Sequence, residues 1–404
     1  MTDISKRINE LAERYRDYTA ENLSKLVGIQ SLSLEEEDVN IELQRQMEEA
    51  GFDEVRLDGL GNVIGRIGNG PKILAIDAHM DTVGIGNVDN WDFEPLSGAI
   101  NEGFVYGRGT VDQKGGAAAF VTAGRILKEI GIPEDLTVYF VGSIMEEDCD
   151  GLCWKYIIEE ERLRPDVVIC TEPTNMNIYR GHRGRMEIEV TFEGISAHGS
   201  APERGKNAIY MAAQMALQIE TLNARLRVDD FLGKGSITVT EFISSSPSLC
   251  ATADYTHLHL DRRLTWGETR ESAVAEIKEI AAPFKAEVEV PHYEEKSYTL
   301  MPCKMEKYFP TWQLPEDHPV IRTGVQTFND LFSKPPRVDK WTFSTNAVTI
   351  NGIYGIPVIG FGPGNEILAH APNEKVPVDH LVKASAFYAL YACNIAPMIE
   401  KEIP

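Results

Sequence analysis

Residues 72–82 read KILAIDAHMDT, an apolar run that ends on a histidine and an aspartate. The segments around it share this texture: NVIGRIG (62–68) comes before, and LTVYFVGSIMEED (136–148) and PDVVICTEPT (165–174) come after. Helical stretches lie between them, the Ala-rich GGAAAFVTAGRILKEIG (115–131) and a shorter pattern near 151–163. Strands alternating with helices predict an α/β domain on a mostly parallel sheet covered on both faces. Upstream, Ile8, Leu11, Tyr15, Tyr18, Leu23 and Leu26 recur at helical spacing across 4–28, and a second helix over 36–51 ends at Gly51, where a C-cap belongs.

Between about 183 and 295 the rhythm changes. MEIEVTFEG (186–194) alternates at period two, followed by a long helix over 207–227, strands at 235–243 and 254–263, a helix over 268–282 and a strand at 285–291. In order this is β-α-β-β-α-β, the ferredoxin-like arrangement. The α/β texture then returns, with a helix around 319–332, the strand IPVIGFG (356–362) and a closing helix over 378–399. The expected organisation is a larger domain made of 1–182 and 296–404, interrupted by an inserted domain of 183–295, with crossings near 181–184 and 292–300. No repeat or low-complexity tract is visible.

Composition narrows the function classes. The 404 residues are 43% hydrophobic and 25% charged, with a net charge of −23. That length suggests two or three domains with ample core. A surface this acidic repels phosphate backbones and anionic lipids, which argues against nucleic acid or a membrane as partner. The first residues lack the apolar core of a signal peptide and no later run approaches a membrane span, so the chain reads as cytoplasmic. Its six cysteines form no CxxC pair and fit reduced, buried thiols.

The chemistry gathers where strands end, as ligand sites in open α/β sheets do. His79 with Asp81, Glu146 with Glu147, and Glu172 each follow a predicted strand, while RGTVDQKGG (108–116) puts Asp112 before a glycine-rich helix start. Alone, each has an ordinary reading as a cap or a solvated face. Together, carboxylates at one sheet rim would repel one another unless a cation neutralised them, and a set of one His and several carboxylates suits Zn²⁺ or Mn²⁺. Asp81 is spaced to fix the tautomer of His79. His370, in a Gly- and Pro-rich loop, enlarges the set enough for two metals. Glu146 and Glu147 cannot both face one site from a regular strand, so the chain must turn there. RGTVDQKGG lacks the order of a phosphate loop.

The ordered runs AIDAHMDTV, YGRGTVDQKGG, IMEEDCDG, ICTEPT, GISAHGSAP and GPGNEILAHAPNEKV cover nearly the whole chain. This set resembles the dinuclear zinc metallopeptidases related to acetylornithine deacetylase and succinyl-diaminopimelate desuccinylase. The resemblance implies a zinc-exopeptidase-like catalytic domain with an inserted lid and dimerisation domain. It also implies that His79 and Glu172 hold one metal, Glu147 and His370 the other, and Asp112 bridges. By the same resemblance Glu146 is the general base, Asp81 the residue behind His79, and a cis peptide follows Asp112. His198, in SAHGSAP, would stabilise the oxyanion, in several relatives within the neighbouring subunit. Arg263, in THLHLDRRL, would bind a substrate carboxylate, for which its fork is suited, while Arg262 should face away.

Two departures set this chain apart. It reads SLCATAD (248–254) where relatives often have Asn and Pro, and Ser344, Thr345, Asn346 and Ala347 where they often have an Asp. This suggests a separate branch, similar to the YgeY-type hydrolases described as linked to selenium metabolism. The expected reaction is hydrolysis of an N-acyl or N-carbamoyl-type amide on a small amino-acid derivative, by a metal-bridging water that Glu146 activates. The alternatives are a metal-dependent dipeptidase or aminopeptidase and, from another class, a non-catalytic metal-stabilised binding protein. Two divalent ions are implied, zinc first, with manganese or cobalt acceptable to the same ligands. The expected assembly is a homodimer through the inserted domain.

Overall fold

The structure is a computed structural model that describes residues 3–399 and 403. Its main strands run, in chain order, as β1 (Glu54–Leu57), β2 (Val63–Gly68), β3 (Lys72–His79), β4 (Leu136–Ser143), β5 (Val167–Cys170), β6 (Ile178–Tyr179), β7 (Gly184–Glu193), β8 (Ser236–Ser245), β9 (Tyr255–Leu264), β10 (Glu287–Glu289), β11 (Val338–Asp339) and β12 (Val358–Gly360).

The large sheet is mixed, in the order β1-β2-β4-β3-β5-β12-β6-β11. Its centre is parallel: β3 pairs in parallel with β4 and β5, and β5 with β12. The apolar runs found in the sequence are these central strands, and the last six residues of β3 are all buried. Helices cover both sides, as a sheet with two apolar faces demands. Helix Lys114–Ile130 is buried almost throughout, and its small residues let it press on the sheet. A Cβ on Gly116 would stand 2.1 Å from the Thr171 hydroxyl. The helix stops at Gly131, whose φ of +82° suits glycine. The single helix expected over 4–28 is two, Asp3–Arg14 and Arg16–Val27, broken at Tyr15, whose ring lies 4.6 Å from the Arg125 guanidinium.

The smaller sheet is antiparallel, ordered β8-β9-β7-β10. Taken within this segment, that is second, third, first, fourth, the ferredoxin-like topology read from the sequence. Helices Ala208–Arg225 and Arg270–Ala281 pack with Met186, Ile188, Val190 and Phe192 of β7 into a separate hydrophobic core. Period-two alternation sends Arg185, Glu187 and Glu189 to the other face. The large core is lined up to Tyr179 and again from Tyr293, and the small one from Met186 to Val290. The sequence showed no sign of one feature: after a hairpin, His292–Lys296 with Pro302–Glu306, the chain touches the small sheet again, and Tyr308–Phe309 pairs with β7. No helix among the described residues is long and apolar enough to cross a membrane.

Candidate metal centre

The polar clusters meet at the carboxyl ends of the parallel strands. His79 is the last residue of β3, and Glu172 lies two residues beyond β5. Past β4 the chain turns at Met145 (φ +61°), which frees Glu146 and Glu147 from strand alternation. Asp112 directly precedes the N-terminal end of helix Lys114–Ile130, and its peptide bond to Gln113 is cis. His370 arrives from the loop after β12.

These residues form two groups of three that share Asp112. His79, Asp112 and Glu172 offer ligand atoms within 4.8 Å of one another, and so do Asp112, Glu147 and His370. His79 Nε2 is 2.9 Å from Asp112 Oδ1 and 3.5 Å from Glu172 Oε1. His370 Nε2 is 3.3 Å from Asp112 Oδ2 and 2.9 Å from Glu147 Oε2. Glu146 belongs to neither group, although its carboxylate comes to 3.8 Å from His79 Nε2.

The electrostatics are those of a carboxylate cluster with too little positive charge. Burial pushes the Glu146 carboxyl well above the usual range, with Glu172, Asp150 and Glu147 adding to the rise and His79 opposing it. Glu172 and Glu147 are raised too, by burial and then by Asp112. His370 is pushed up to about 10 by its hydrogen bonds to Asp112 and Glu147. Burial would raise Asp112, yet its bonds to His370 and His79 hold it below the usual carboxylate value. Glu172 Oε2 is buried without a hydrogen-bond partner among the described residues, a penalty that a cation would remove. The donor set of imidazole and carboxylate fits two hard-to-borderline divalent ions.

Around the two groups stands a shell of buried supports. His79 Nδ1 lies 2.9 Å from the Asp81 carbonyl and 3.3 Å from Asp81 Oδ1, so Asp81 orients the ring through its backbone as well as its carboxylate. The Asp81 carboxylate also accepts the backbone N–H groups of Glu146 and Glu147, at 3.2 and 3.0 Å. The two N–H groups before these are taken by Asn62 (from Ile144, 3.1 Å) and Glu36 (from Met145, 3.0 Å). On the other side Glu374 accepts from the backbone of Val111 and Asp112, at 2.7 and 3.1 Å, and pairs with Arg108 at 2.7 Å. Arg108 in turn reaches the His370 carbonyl at 3.4 Å, tying the Asp112 loop to the His370 loop. Asn346 donates to Asp77 and Ser143 behind β3, at 3.0 and 3.1 Å.

A cavity of about 300 Å³ opens over the centre, its far wall formed by Asp150, Arg185, Arg263, Phe343, Ser344 and Glu366. Arg263 reaches it as expected, but its fork is engaged by Asp261 at 2.7 and 2.9 Å. Arg185, directly opposite Arg263 in the β7/β9 register, was not singled out from the sequence. Arg262 points the other way and is buried against Glu268 and Glu276. His198 does not line the cavity: it is exposed on the inserted domain and its Nδ1 accepts from the Ser200 hydroxyl at 2.8 Å. Glu36, Asn62, Arg108, Glu374, Arg185 and Glu366 were missed. Only the register of β7 against β9 offered a sequence signal, for Arg185, because the others matter through partners far away in the chain.

Comparison with known proteins agrees with this geometry. The sequence pattern of peptidase family M20/M25/M40 matches residues 75–394. The YgeY protein of Escherichia coli (strain K12) is 50% identical over 384 residues, 94% of this chain and 95% of that one. A probable succinyl-diaminopimelate desuccinylase of Staphylococcus aureus (strain Mu50) is 36% identical over 171 residues, 42% of each chain. Among solved structures, the YXEP protein of Bacillus subtilis, described as a dinuclear metal-binding peptidase of the M20 family, shares the fold with a TM-score of 0.70 at 15% identity, over 97% of this chain and all of that one. Half identity along nearly the full length of two chains, added to a family pattern spanning most of the sequence, makes this chain a member of peptidase family M20/M25/M40, a metal-dependent hydrolase.

Proposed function

We propose that the protein hydrolyses an N-acyl or N-carbamoyl-type amide of a small amino-acid derivative, using two divalent ions, zinc first, held by His79, Asp112 and Glu172 and by Asp112, Glu147 and His370. The observation that carries this reading is Glu146, whose carboxylate lies 3.8 Å from His79 Nε2 and which lines the same cavity as Asp112, Glu147, Glu172 and His370 while belonging to neither ligand group. Bound there, the ions supply Lewis acidity and an acidified water. Glu146 takes the proton of the attacking water on its carboxylate and passes it to the leaving nitrogen, which regenerates the base. Asp81 keeps the His79 ring oriented while Glu146 works. A cavity of about 300 Å³ is at the small end of ligand sites, which favours one amino-acid unit over a long peptide.

His198 supplies the oxyanion hydrogen bond from a second copy of the chain. Supporting this, it is exposed outside its own cavity, and β8 is an outer strand of the small sheet carrying exposed Phe242 and Ile243. Edge strands with apolar side chains are ready to pair with another chain. A cytoplasmic location accords with free thiols, Cys149, Cys153, Cys170 and Cys303 being buried.

The test is turnover of the metal-reconstituted protein on N-acetyl, N-succinyl, N-formyl and N-carbamoyl amino acids and on dipeptides, against a chelated control. Metal-dependent release of amine from N-substituted acids is the expected result. Activity confined to dipeptides with a free amine would replace this reading by a dipeptidase. Glu146→Ala should keep its metals and lose about three or more powers of ten in kcat; undiminished turnover would remove the base assignment.

A further inference from the structure

The five residues of the two ligand groups are not held equally. The side chains of His79, Glu172, Asp112 and Glu147 are at most 9% exposed, whereas that of His370 is 54% exposed. His79 and Glu172 also sit on or just past strands of the large sheet. His370 lies in the stretch 361–374, which contains one short turn of 3-10 helix, Glu366–Leu368, and no strand. Its backbone has a φ of +59°, uncommon for a residue with a side chain. What fastens this loop comes from elsewhere in the chain. Arg108 Nη1 donates to Glu374 at 2.7 Å and to the Ala371 carbonyl at 3.2 Å. Its Nη2 donates to the carbonyls of His370 and Gly84, both at 3.4 Å. The guanidinium stands 5.2 Å from the ring centroid of Trp91, whose Nε1 donates to the Ile85 carbonyl at 2.8 Å. A second fastening joins the same segments: Asn373 Oδ1 accepts the Asp92 N–H at 2.7 Å, and its Nδ2 donates to the Asp92 carboxylate at 3.0 Å.

We propose that Arg108 and Asn373 are positioning residues for one ion only. They fix the His370 loop against the 84–92 segment, and so set the affinity of the Asp112, Glu147 and His370 group without altering that of the His79, Asp112 and Glu172 group. This rests on the two-ion reading and adds to it a pair of residues outside both groups. His370 is the one imidazole of its group, so a loop free to wander withholds one protein ligand in three. Ordering the loop in advance removes that cost from binding. Arginine suits the task because its planar fork meets a carboxylate and several carbonyls at once, whereas lysine offers a single point of charge. His79 is independent of this device, being carried by β3 and oriented by Asp81.

The test is competition of the full chain against a chromophoric chelator for Zn²⁺, with no substrate present. The wild type should take up two ions. Arg108→Lys keeps a cation beside Glu374, so the first ion should bind with unchanged affinity. The second should bind about 10- to 100-fold more weakly, the usual cost of losing a support behind a metal ligand. Asn373→Ala, at a partly exposed position, should weaken the same ion, and it decides the matter if Arg108→Lys does not fold. Two backgrounds identify the ion concerned. In Glu147→Ala, which leaves the His79 group intact, adding Arg108→Lys should change nothing; in Glu172→Ala, which leaves the His370 group intact, it should weaken binding. Unchanged affinities, or equal weakening of both ions, would overturn the proposal and leave Arg108 and Asn373 a role in the fold alone. Uptake of fewer than two ions by the wild type would overturn the two-ion reading, and the proposal with it.

Discussion

Four successive backbone N–H groups, from Ile144 to Glu147, are held by the buried side chains of Asn62, Glu36 and Asp81 rather than by a strand or helix. This is how Glu146 and Glu147 keep a turn that no regular element would give them. Glu36 is the revealing member, since it is fully buried, accepts from Met145, and lies far from the ligands in sequence. Removing it by Glu36→Ala should lower kcat about 10- to 100-fold, the usual cost of losing a support behind a metal site, with little change in KM. Glu36→Gln keeps an acceptor and should restore most of the loss. A fall in melting temperature alone, with kcat intact, would mean that Glu36 serves the fold and not the base. The residues of the two groups around Asp112 were legible because their types, order and spacing resemble a known pattern. Glu36, Arg108 and Glu374 were not, since a buried charged side chain has meaning only through partners such as Val111, 263 positions away from Glu374.

At the level of elements, the junction between the two cores turns on His182. It lies in the short strand Gly181–His182, paired with Trp312–Gln313, and its ring stands edge-on to Trp312 and Trp341 at centroid distances of 5.4 and 6.1 Å. Nδ1 donates to the Arg183 carbonyl at 2.9 Å, and Nε2 accepts from the Thr345 N–H at 3.2 Å, which fixes a neutral ring. Burial lowers its pKa to about 4. Above pH 6.5 the ring is neutral in both folded and unfolded chains. As pH falls below that value the unfolded chain takes a proton that the folded one refuses, so stability drops until about pH 4. His182→Gln lacks this dependence. Its stability deficit at pH 7 should shrink by about 2 kcal/mol at pH 5 in urea titrations, and a constant deficit would disprove a neutral buried ring. With its bonds to Arg183 and Thr345, His182 is a structural histidine. His257 and His259 likewise face Glu189 and Glu187 on the small sheet.

In the whole molecule the inserted domain carries His198 on its exposed surface and Arg263 at the cavity wall, so one segment addresses two places. If His198 serves a second copy, mixing inactive Glu146→Ala and His198→Ala proteins should create hybrid dimers with one complete site and recover activity. An oxyanion role within the same chain predicts no recovery, and light scattering that finds only monomers would remove the dimer as well. By itself the sequence determined the α/β texture, the ferredoxin-like order of the insert and the His and carboxylate residues that meet in the two groups around Asp112. Those properties follow from local periodicity and from residue types at fixed spacing. The tertiary structure alone decided the order of the large sheet, the return of Tyr308–Phe309 to β7, the buried cradle under Glu146 and Glu147, and the pairing of Arg185 with Asp150 and of Arg263 with Asp261 on the cavity wall. Strand order, burial and charge pairing are set by which distant segments fold together, and no local window of sequence contains that information.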